Sequence, residues 1–248
     1  MSFVAIIPAR YSSKRLPGKP LREIAGMTMI ERVWRQACKS EAVRVIVATD
    51  DGRISDVAKG FGAEVCMTRS DHDSGTDRLQ EVALELNLEL DQIVVNVQGD
   101  EPMIPPAVIN QVANNLEENE LAGVATLCEP ISEIDDLHNP NVVKVVTTKL
   151  GLASYFSRAV IPWPRNTDFG ISLTQARRHI GIYAYRVEEL RDFVSWPVAP
   201  LESLESLEQL RFLWNGTAVH VSDAIVSVPG GIDTEEDLSA VSELFKTL

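Results

Sequence analysis

Short apolar runs alternate with amphipathic stretches over the first 130 residues of the chain. The apolar runs predict buried strands at residues 3–8, 43–48, 64–67, 93–97 and 124–127. Between them, apolar residues at helical spacing predict helices over about residues 28–38, 52–59, 76–88 and 105–119. This alternation predicts an α/β fold with a mainly parallel, doubly wound, Rossmann-like sheet, and ligands of such sheets bind beyond the carboxyl ends of the strands.

The alternation weakens beyond residue 130. Runs at 142–148, 155–157 and 180–185 predict strands with no long helices between them, and hence a smaller mixed or antiparallel subregion over residues 130–186. We expect this subregion to form the second wall of a cleft and a dimer face, because exposed strand edges need covering. Helices are predicted over 187–194, 201–214 and 235–245, within a single domain spanning residues 1–248.

Positive charge is concentrated directly after the first predicted strand. The chain has a formal net charge of −13, yet no acidic residue occurs before Glu23. The loop over residues 9–22 (the first loop) carries the cations Arg10, Lys14, Arg15, Lys19 and Arg22. Gly18 and two prolines restrict the shape of this loop. A rigid cationic loop after a strand favours phosphate binding over a merely solvated basic loop, with Lys14 assigned to solvent.

Composition indicates which binding partners the chain can have and in which cellular compartment it works. The acidic balance argues against nucleic acid, which needs a broad basic face. No apolar run reaches the length of a membrane span, and no leader for secretion is present, so we expect no membrane insertion. The cysteines Cys38, Cys66 and Cys128 are far apart and form no C-x-x-C pair, which predicts a reducing cytoplasm and no structural zinc site.

Three further motifs lie at the ends of predicted elements. Residues 74–78 (Ser-Gly-Thr-Asp-Arg) open a helix, where they form either a simple cap or a close contact to a nucleoside. Asp100 follows a buried strand and either binds turn amides or meets a hard cation such as Mg²⁺. Asp233 precedes the last helix, and its carboxylate either caps that helix or binds the same cation. Neither a P-loop nor a dinucleotide-binding glycine motif is present.

The run from Pro8 to Leu21, Pro-Ala-Arg-x-x-Ser-x-Arg-Leu-Pro-Gly-Lys-Pro-Leu, resembles the signature of sugar-activating cytidylyltransferases. The resemblance is greatest to the family of 3-deoxy-manno-octulosonate (Kdo) cytidylyltransferases, which make CMP-Kdo for lipopolysaccharide. The segments 74–78, 98–102, 179–183 and 230–234 match in the same order. Only the polar loop from Arg165 to Arg177 matches no family pattern, so its role is left open.

The resemblance implies a role for each matched residue. Arg10 and Lys19 hold the triphosphate with help from Arg15. Asp100 and Asp233 hold Mg²⁺, and together with Arg10 and Lys19 form the catalytic set. The remaining matched residues bind substrate: Ser74 and Gly75 contact the cytidine, Arg78 faces the sugar acid, and Gln98, His179, Tyr185, Glu208 and Gln209 lie at the octulosonate.

The implied reaction is transfer of CMP from CTP to the anomeric hydroxyl of Kdo, releasing pyrophosphate, by a homodimer. An 8-amino analogue of Kdo or a sialic acid remains open as the acceptor, although the segments 98–102 and 179–183 favour the octulosonate family. The substituent at the far end of the sugar is left open, because one side chain could decide it. A non-catalytic nucleotide sensor on the same fold is a third alternative. Neither a general base nor the number of Mg²⁺ ions follows from the sequence.

Overall fold

The computed structural model describes residues 2–13, 15–72, 74–165 and 169–247. Its strands are β1 (Phe3–Ala9), β2 (Glu23–Ile24), β3 (Met27–Thr28), β4 (Arg44–Thr49), β5 (Glu64–Met67), β6 (Ile93–Asn96), β7 (Val124–Pro130), β8 (Lys144–Thr147), β9 (Ala153–Ser157), β10 (Arg177–Arg186) and β11 (Val219–Asp223). Its helices are α1 (Met29–Ala37), α2 (Gly52–Gly60), α3 (Gly75–Glu85), α4 (Pro106–Glu117), α5 (Ile134–His138), α6 (Phe169–Gln175), α7 (Val187–Ser195), α8 (Pro200–Glu205), α9 (Gln209–Trp214) and α10 (Glu235–Thr247). A 3₁₀ turn covers Lys19–Leu21.

The main sheet has the strand order β11-β7-β10-β6-β1-β4-β5. The strands β6, β1, β4 and β5 pair in parallel, as do β11 and β7, whereas β10 runs antiparallel between β6 and β7. The hairpin of β8 and β9 joins the sheet through β10. The predicted mainly parallel sheet with a smaller antiparallel region is confirmed, while the single-domain assignment stays a prediction.

Helices cover both faces of this sheet because β1 is apolar on both sides. Phe3, Ala5 and Ile7 belong to one core with residues from α1, α2 and α4. Val4 and Ile6 point to the other face and belong to a second core with residues from α3, α7 and α9. A strand buried on both faces reads as a continuous apolar run, which is why the first strand could be predicted.

A smaller third core joins the first loop to the end of the chain. It consists of the buried side chains Leu16, Ile24, Met29, Ile232, Leu238 and Val241. On its surface, the guanidinium of Arg22 donates to both carboxylate oxygens of Glu235, at 2.6 and 2.8 Å. This core therefore places the start of α10 beside the cation-rich first loop.

The single helix predicted over residues 201–214 is wrong. Ser206 has φ 51° and ψ 52°, a left-handed conformation that ends α8, and α9 starts three residues later. The leucine spacing of the predicted helix would place Leu204 in the core, but it is 81% exposed. The same helix would leave the charged Glu202 at the surface, but Glu202 is buried and accepts hydrogen bonds from the Arg211 guanidinium. Strand β11 and helices α5 and α6 were also not predicted.

None of the helices in the described part of the chain combines the length and apolar character that a membrane span requires.

Candidate active site

A cavity of about 660 Å³ lies beyond the carboxyl ends of β1 and β6. Its walls come from the first loop, the start of α3, β10, the turn between α8 and α9, and the segment before α10. All the predicted site residues except Ser74 and His179 line it, namely Arg10, Arg15, Lys19, Gly75, Arg78, Gln98, Asp100, Tyr185, Glu208, Gln209 and Asp233. The fold thus assembles residues from both ends of the chain around one space.

The first loop is held in a fixed shape by its own backbone. Gly18 adopts φ 66°, and a Cβ at this position would lie 3.2 Å from the ring of Tyr11. The Gly18 N–H donates to the Tyr11 carbonyl at 3.3 Å, and the Leu16 N–H donates to Ser13 Oγ at 3.3 Å. This folding directs the side chains of Arg10, Arg15 and Lys19 to one wall of the cavity.

Lys19 joins the two predicted metal ligands. Its Nζ lies 2.6 Å from Asp100 Oδ2 and 3.0 Å from Asp233 Oδ1. Arg15 Nη2 contacts the same Asp233 oxygen at 2.8 Å. Two carboxylates that are far apart in sequence therefore meet at the Lys19 ammonium, and one of them also pairs with Arg15.

Close backbone contacts position Asp100. Gly99 packs against the end of β1 so tightly that a Cβ there would lie 2.7 Å from the Pro8 carbonyl oxygen. Any other residue would push the ends of β1 and β6 apart. The Asp100 carbonyl accepts the Ile232 N–H at 2.9 Å, which ties the segment before α10 to this turn.

The cap of α10 does not use the carboxylate of Asp233. A carboxylate in the predicted last helix would be expected to face solvent, but Asp237 accepts the backbone N–H groups of Asp233 and Thr234 at 3.0 and 2.9 Å. Thr234 Oγ1 in turn accepts the Asp237 N–H at 3.2 Å. Hydrogen bonds from these backbone groups, led by that of Asp233, hold the pKa of the Asp237 carboxyl below its usual value. Because Thr234 and Asp237 cap the helix, Asp233 is available to the cavity.

Next to Asp100, the carboxyl of Glu101 is buried. Burial, with a smaller contribution from the Asp100 charge, raises the pKa of Glu101 to about 8. Its Oε2 has no hydrogen-bond partner among the described residues. Glu101 is therefore a neutral neighbour of the carboxylate pair at pH 7.

The donor set of Asp100 and Asp233 fits a hard divalent cation. Carboxylate oxygens from both residues already surround one positive charge, that of Lys19. The described residues contain no group of three or more side chains that could hold a metal by themselves. Mg²⁺ typically takes one or two carboxylates and completes its shell with water and substrate phosphates, so a pair suffices.

Arg78 and Ser74 have structural partners in the nearby wall. The Arg78 guanidinium is buried, donates to Thr68 Oγ1 and lies 3.3 Å from Asp50 Oδ1. Burial lowers the pKa of Arg78, although Asp50 opposes that shift. Ser74 does not line the cavity, because its hydroxyl accepts the Asp77 N–H in the capping box of α3. The structure makes the Ser74 side chain a cap, and the nucleoside contact expected there stays a prediction.

The opposite wall presents mainly uncharged polar groups. Glu208 accepts a hydrogen bond from Thr76 Oγ1 at 2.9 Å, and burial raises the pKa of its carboxyl. Gln98 Nε2 donates to the Gly181 carbonyl at 3.1 Å, which joins the end of β6 to β10. Gln209 Nε2 is buried without a partner among the described residues. This wall suits hydroxyl groups rather than phosphates.

His179 lies behind the cavity wall. Its Nε2 is 3.0 Å from Thr126 Oγ1, and its ring packs 5.3 Å from the ring of Tyr183, which does line the cavity. Burial lowers the pKa of His179 to about 3, so the ring is neutral at pH 7. His179 thus supports Tyr183 from behind the cavity wall, and the sugar contact expected of it stays a prediction.

The sequence model of one family, described as cytidylyltransferase, matches residues 4–222. The chain belongs to the cytidylyltransferase family. The match includes the first loop, both walls of the cavity and Asp100, and it ends before Asp233.

Full-length relatives and solved structures extend this comparison. A cytidylyltransferase of Cellvibrio japonicus (strain Ueda107), named 3-deoxy-manno-octulosonate cytidylyltransferase, is 60% identical, with 99% of each chain covered. One of the same name from Pseudomonas syringae pv. syringae (strain B728a) is 58% identical over 99% of this chain and 98% of that one. The structure of CMP:2-keto-3-deoxy-manno-octonic acid synthetase complexed with CTP superposes with a TM-score of 0.91 at 40% identity, covering 99% of this chain and 98% of that one. A cytidylyltransferase from Leptospira borgpetersenii shares the fold, with a TM-score of 0.62 at 16% identity, covering 100% and 87% of the two chains.

Sequence reasoning missed several residues of this cytidylyltransferase cavity. Asn96, Tyr183 and Phe212 line it, although the pattern assigned them to strand or helix interiors. Asn96 did carry a signal, since it is the one polar residue in an otherwise apolar strand. Its Oδ1 is buried without a partner among the described residues. Tyr183 and Phe212 carried none, because aromatic residues fit a core equally well.

The structure describes part of the loop from Arg165 to Arg177. Within the loop from Arg165 to Arg177, residues 166–168 lie outside the described part of the chain, and α6 follows them. Phe169 of α6 packs beside the small core of Ile131, Leu137 and Ala176. Lys14, predicted to face solvent, also lies outside the described residues.

Proposed function

We propose that this cytidylyltransferase transfers CMP from CTP to the anomeric hydroxyl of 3-deoxy-D-manno-octulosonate, giving CMP-Kdo and pyrophosphate for lipopolysaccharide biosynthesis. The observation that carries the proposal is a single cavity with cations and a carboxylate pair on one wall and hydroxyl-binding groups on the other. The names of the 60% and 58% identical relatives, and the CTP complex of the 40% identical structure, support the substrates.

The cationic wall would bind the triphosphate. Arg10 and Arg15 would contact its oxygens, as would Lys19 once its ammonium leaves the carboxylates. The nucleoside would lie against the small residues at the start of α3. Among the described residues outside this helix, Pro8 alone comes within 4 Å of a Cβ built at Gly75, at 3.8 Å. This arrangement lets a base approach the backbone closely.

Asp100 and Asp233 would hold Mg²⁺. When bound, the ion would neutralise phosphate charge and lower the pKa of a nearby hydroxyl. The protein supplies the two carboxylates, fixed by the Gly99 contact and by the cap of α10.

The acceptor would lie against the polar wall, where Gln98, Tyr185, Glu208 and Gln209 would bind its hydroxyl groups. In the reaction the anomeric hydroxyl loses its proton to solvent and its oxygen forms a bond to the α-phosphorus, while the bond from that phosphorus to the bridging oxygen of pyrophosphate breaks. Such transfers depend mainly on positioning and charge stabilisation. Arg10 and Lys19 would stabilise the charge that develops on the leaving pyrophosphate.

Pyrophosphate release from CTP with a panel of sugar acids tests the acceptor. We expect turnover with Kdo and little with a sialic acid. Turnover of the 8-amino analogue relative to Kdo measures the preference for a hydroxyl or an amino group at C8. No release with any of the three acids would contradict the proposal. Comparable turnover with UTP would remove the cytidine assignment, because selection of the exocyclic amine depends on buried hydrogen bonds.

We further propose a homodimer that works in the cytoplasm. The free thiols of Cys38, Cys66 and Cys128 support a reducing compartment. The strands of the 130–186 subregion support a dimer face, because strand edges favour pairing or cover. Light scattering at micromolar concentration should give twice the 27.4 kDa mass of one chain, and a stable monomer would refute the dimer.

A further inference from the structure

Lys19 occupies the position between the two carboxylates. Its Nζ lies 2.6 Å from Asp100 and 3.0 Å from Asp233. The Lys19 side chain is 12% exposed, whereas the side chains of Asp100 and Asp233 are 36% and 46% exposed. The ammonium thus lies on the inner side of the pair, with the carboxylates around it.

One position cannot hold two cations. Lys19 contacts one oxygen of each carboxylate, Asp100 Oδ2 and Asp233 Oδ1. A divalent cation between the two residues would compete with the ammonium for these oxygens and would be repelled by its charge. As long as Lys19 stays between Asp100 and Asp233, the pair is neutralised in place and is a poor metal site.

The Lys19 ammonium is able to move away from the carboxylates, and bound triphosphate would favour that movement. In the described part of the chain, the two carboxylates are the only hydrogen-bond partners of its ammonium. Its backbone stays fixed by the Lys19 N–H to Leu16 carbonyl bond at 3.1 Å, so the flexible stem alone has to turn. Arg10 and Arg15 line the same wall, where a triphosphate would add negative charge that competes for the ammonium.

We propose that Lys19 is a positioning residue that fills the divalent-cation position until a nucleoside triphosphate draws its ammonium away, so that cation and nucleotide bind together. In the free enzyme it holds Asp100 and Asp233 in place and prevents their repulsion. This inference rests on the proposed function, since it needs a triphosphate and a divalent cation at this site.

The test is Mn²⁺ binding in the absence of nucleotide and sugar, followed by the EPR signal of free Mn²⁺. Lys19→Gln is expected to bind Mn²⁺ at least about tenfold more tightly than wild type, within the usual 5–150-fold range of coupling. Lys19→Arg keeps the charge and should stay near wild type. Arg35→Gln is the matched control, because it removes one positive charge that pairs with Glu31 instead.

A third variant and a nucleotide arm complete the experiment. Adding Asp233→Asn to Lys19→Gln should abolish the gain, which assigns it to the carboxylate pair. The α,β-methylene analogue of CTP, in which the bond that breaks in the reaction is replaced, should raise the Mn²⁺ affinity of wild type by a larger factor than that of Lys19→Gln. Circular dichroism checks that each variant is folded.

Equal Mn²⁺ affinity of wild type and Lys19→Gln would overturn the inference, as would an equal gain in Arg35→Gln or Lys19→Arg. The outcome is separate from that of the proposed function. A wild type that makes CMP-Kdo without the expected Mn²⁺ difference refutes only the role of Lys19. A clear Mn²⁺ difference without any sugar transfer refutes only the proposed reaction.

Discussion

At the scale of single residues, burial decides which ionisable groups are charged. The ring of His179 packs among Thr126, Phe156 and Tyr183 and is neutral at pH 7, whereas the side chain of Lys19 pairs with two carboxylates. The sequence shows both residues but neither environment, because their partners lie far away along the chain.

His179 should make the protein sensitive to acid. Burial lowers its pKa from 6.5 to about 3. In the unfolded chain His179 therefore binds a proton below pH 6.5, whereas in the folded protein it binds one only near pH 3. Stability from this group is present above pH 6.5 and is lost as the pH falls towards 3. Its share of the loss between pH 7 and 4.5 would be up to about 2–3 kcal/mol.

Urea unfolding of His179→Gln at both pH values measures this contribution. Gln can still hydrogen-bond to Thr126, and the variant should lose less stability on acidification than wild type. The exposed His138 gives a matched control, since His138→Gln should keep the wild-type loss. An unchanged loss in His179→Gln would show that its ring is not what resists the proton.

Asp100 and Asp233 should behave as one unit. Asn at either position keeps the size but removes the charge that a hard cation needs, so each single variant should lose most activity with little loss of stability. The double variant should be scarcely worse than either single one. Pyrophosphate release in a Mg²⁺ titration measures this, with the exposed Asp192→Asn as a charge control; effects that multiply would indicate separate roles.

At the scale of elements, the left-handed Ser206 turn shapes the polar wall. Arg158 Nε donates to the Glu205 carbonyl at 2.6 Å and Nη2 to the Ser206 carbonyl at 3.3 Å. The Glu205 carboxylate in turn accepts Ser157 Oγ at 2.7 Å and the Arg158 N–H at 2.9 Å. These contacts fix the turn that carries Glu208 and Gln209 into the cavity.

Arg158→Gln should therefore weaken the acceptor site and spare the nucleotide site. Steady-state kinetics should give a KM for the sugar acid raised roughly tenfold, with kcat and the KM for CTP changed much less. Arg158→Lys should recover part of the loss. The exposed Arg191→Gln serves as a control, and equal increases in both KM values would contradict a role limited to this turn.

The apolar runs predicted the strands of the parallel half well, because a strand covered on both faces has no other reading at that length. Strand β11 (Val-His-Val-Ser-Asp) escaped because too few of its residues are apolar. The break at Ser206 escaped because the leucine spacing continues through it, and no glycine marks the left-handed position. The motifs predicted most of the cavity lining, but the ion pairs of Lys19 depend on tertiary structure and could not be foreseen.

At the scale of the whole molecule, β10 joins two halves of one sheet. It runs antiparallel between β6 and β7 and carries Tyr183 and Tyr185 to the cavity that the parallel strands open at their carboxyl ends. The cationic wall thus comes mainly from the parallel half, and the polar wall mainly from β10 and the segment after it. If the acceptor binds as proposed, substitutions in the polar wall should change the acceptor preference and leave the cationic wall intact.

The third core has a consequence for how the enzyme loses activity. Leu238 and Val241 hold α10, and with it Asp233, through a few side chains that belong to neither core of the main sheet. A cluster this small can open by local unfolding at a lower free-energy cost than the sheet. In rising urea, pyrophosphate release should therefore fall before the far-ultraviolet circular dichroism does, and amides of residues 235–247 should exchange hydrogen earliest among the helices. If both signals fell together, the segment that holds Asp233 would be as stable as the sheet. If they separate, local unfolding of the chain end stops catalysis while the rest of the fold remains intact.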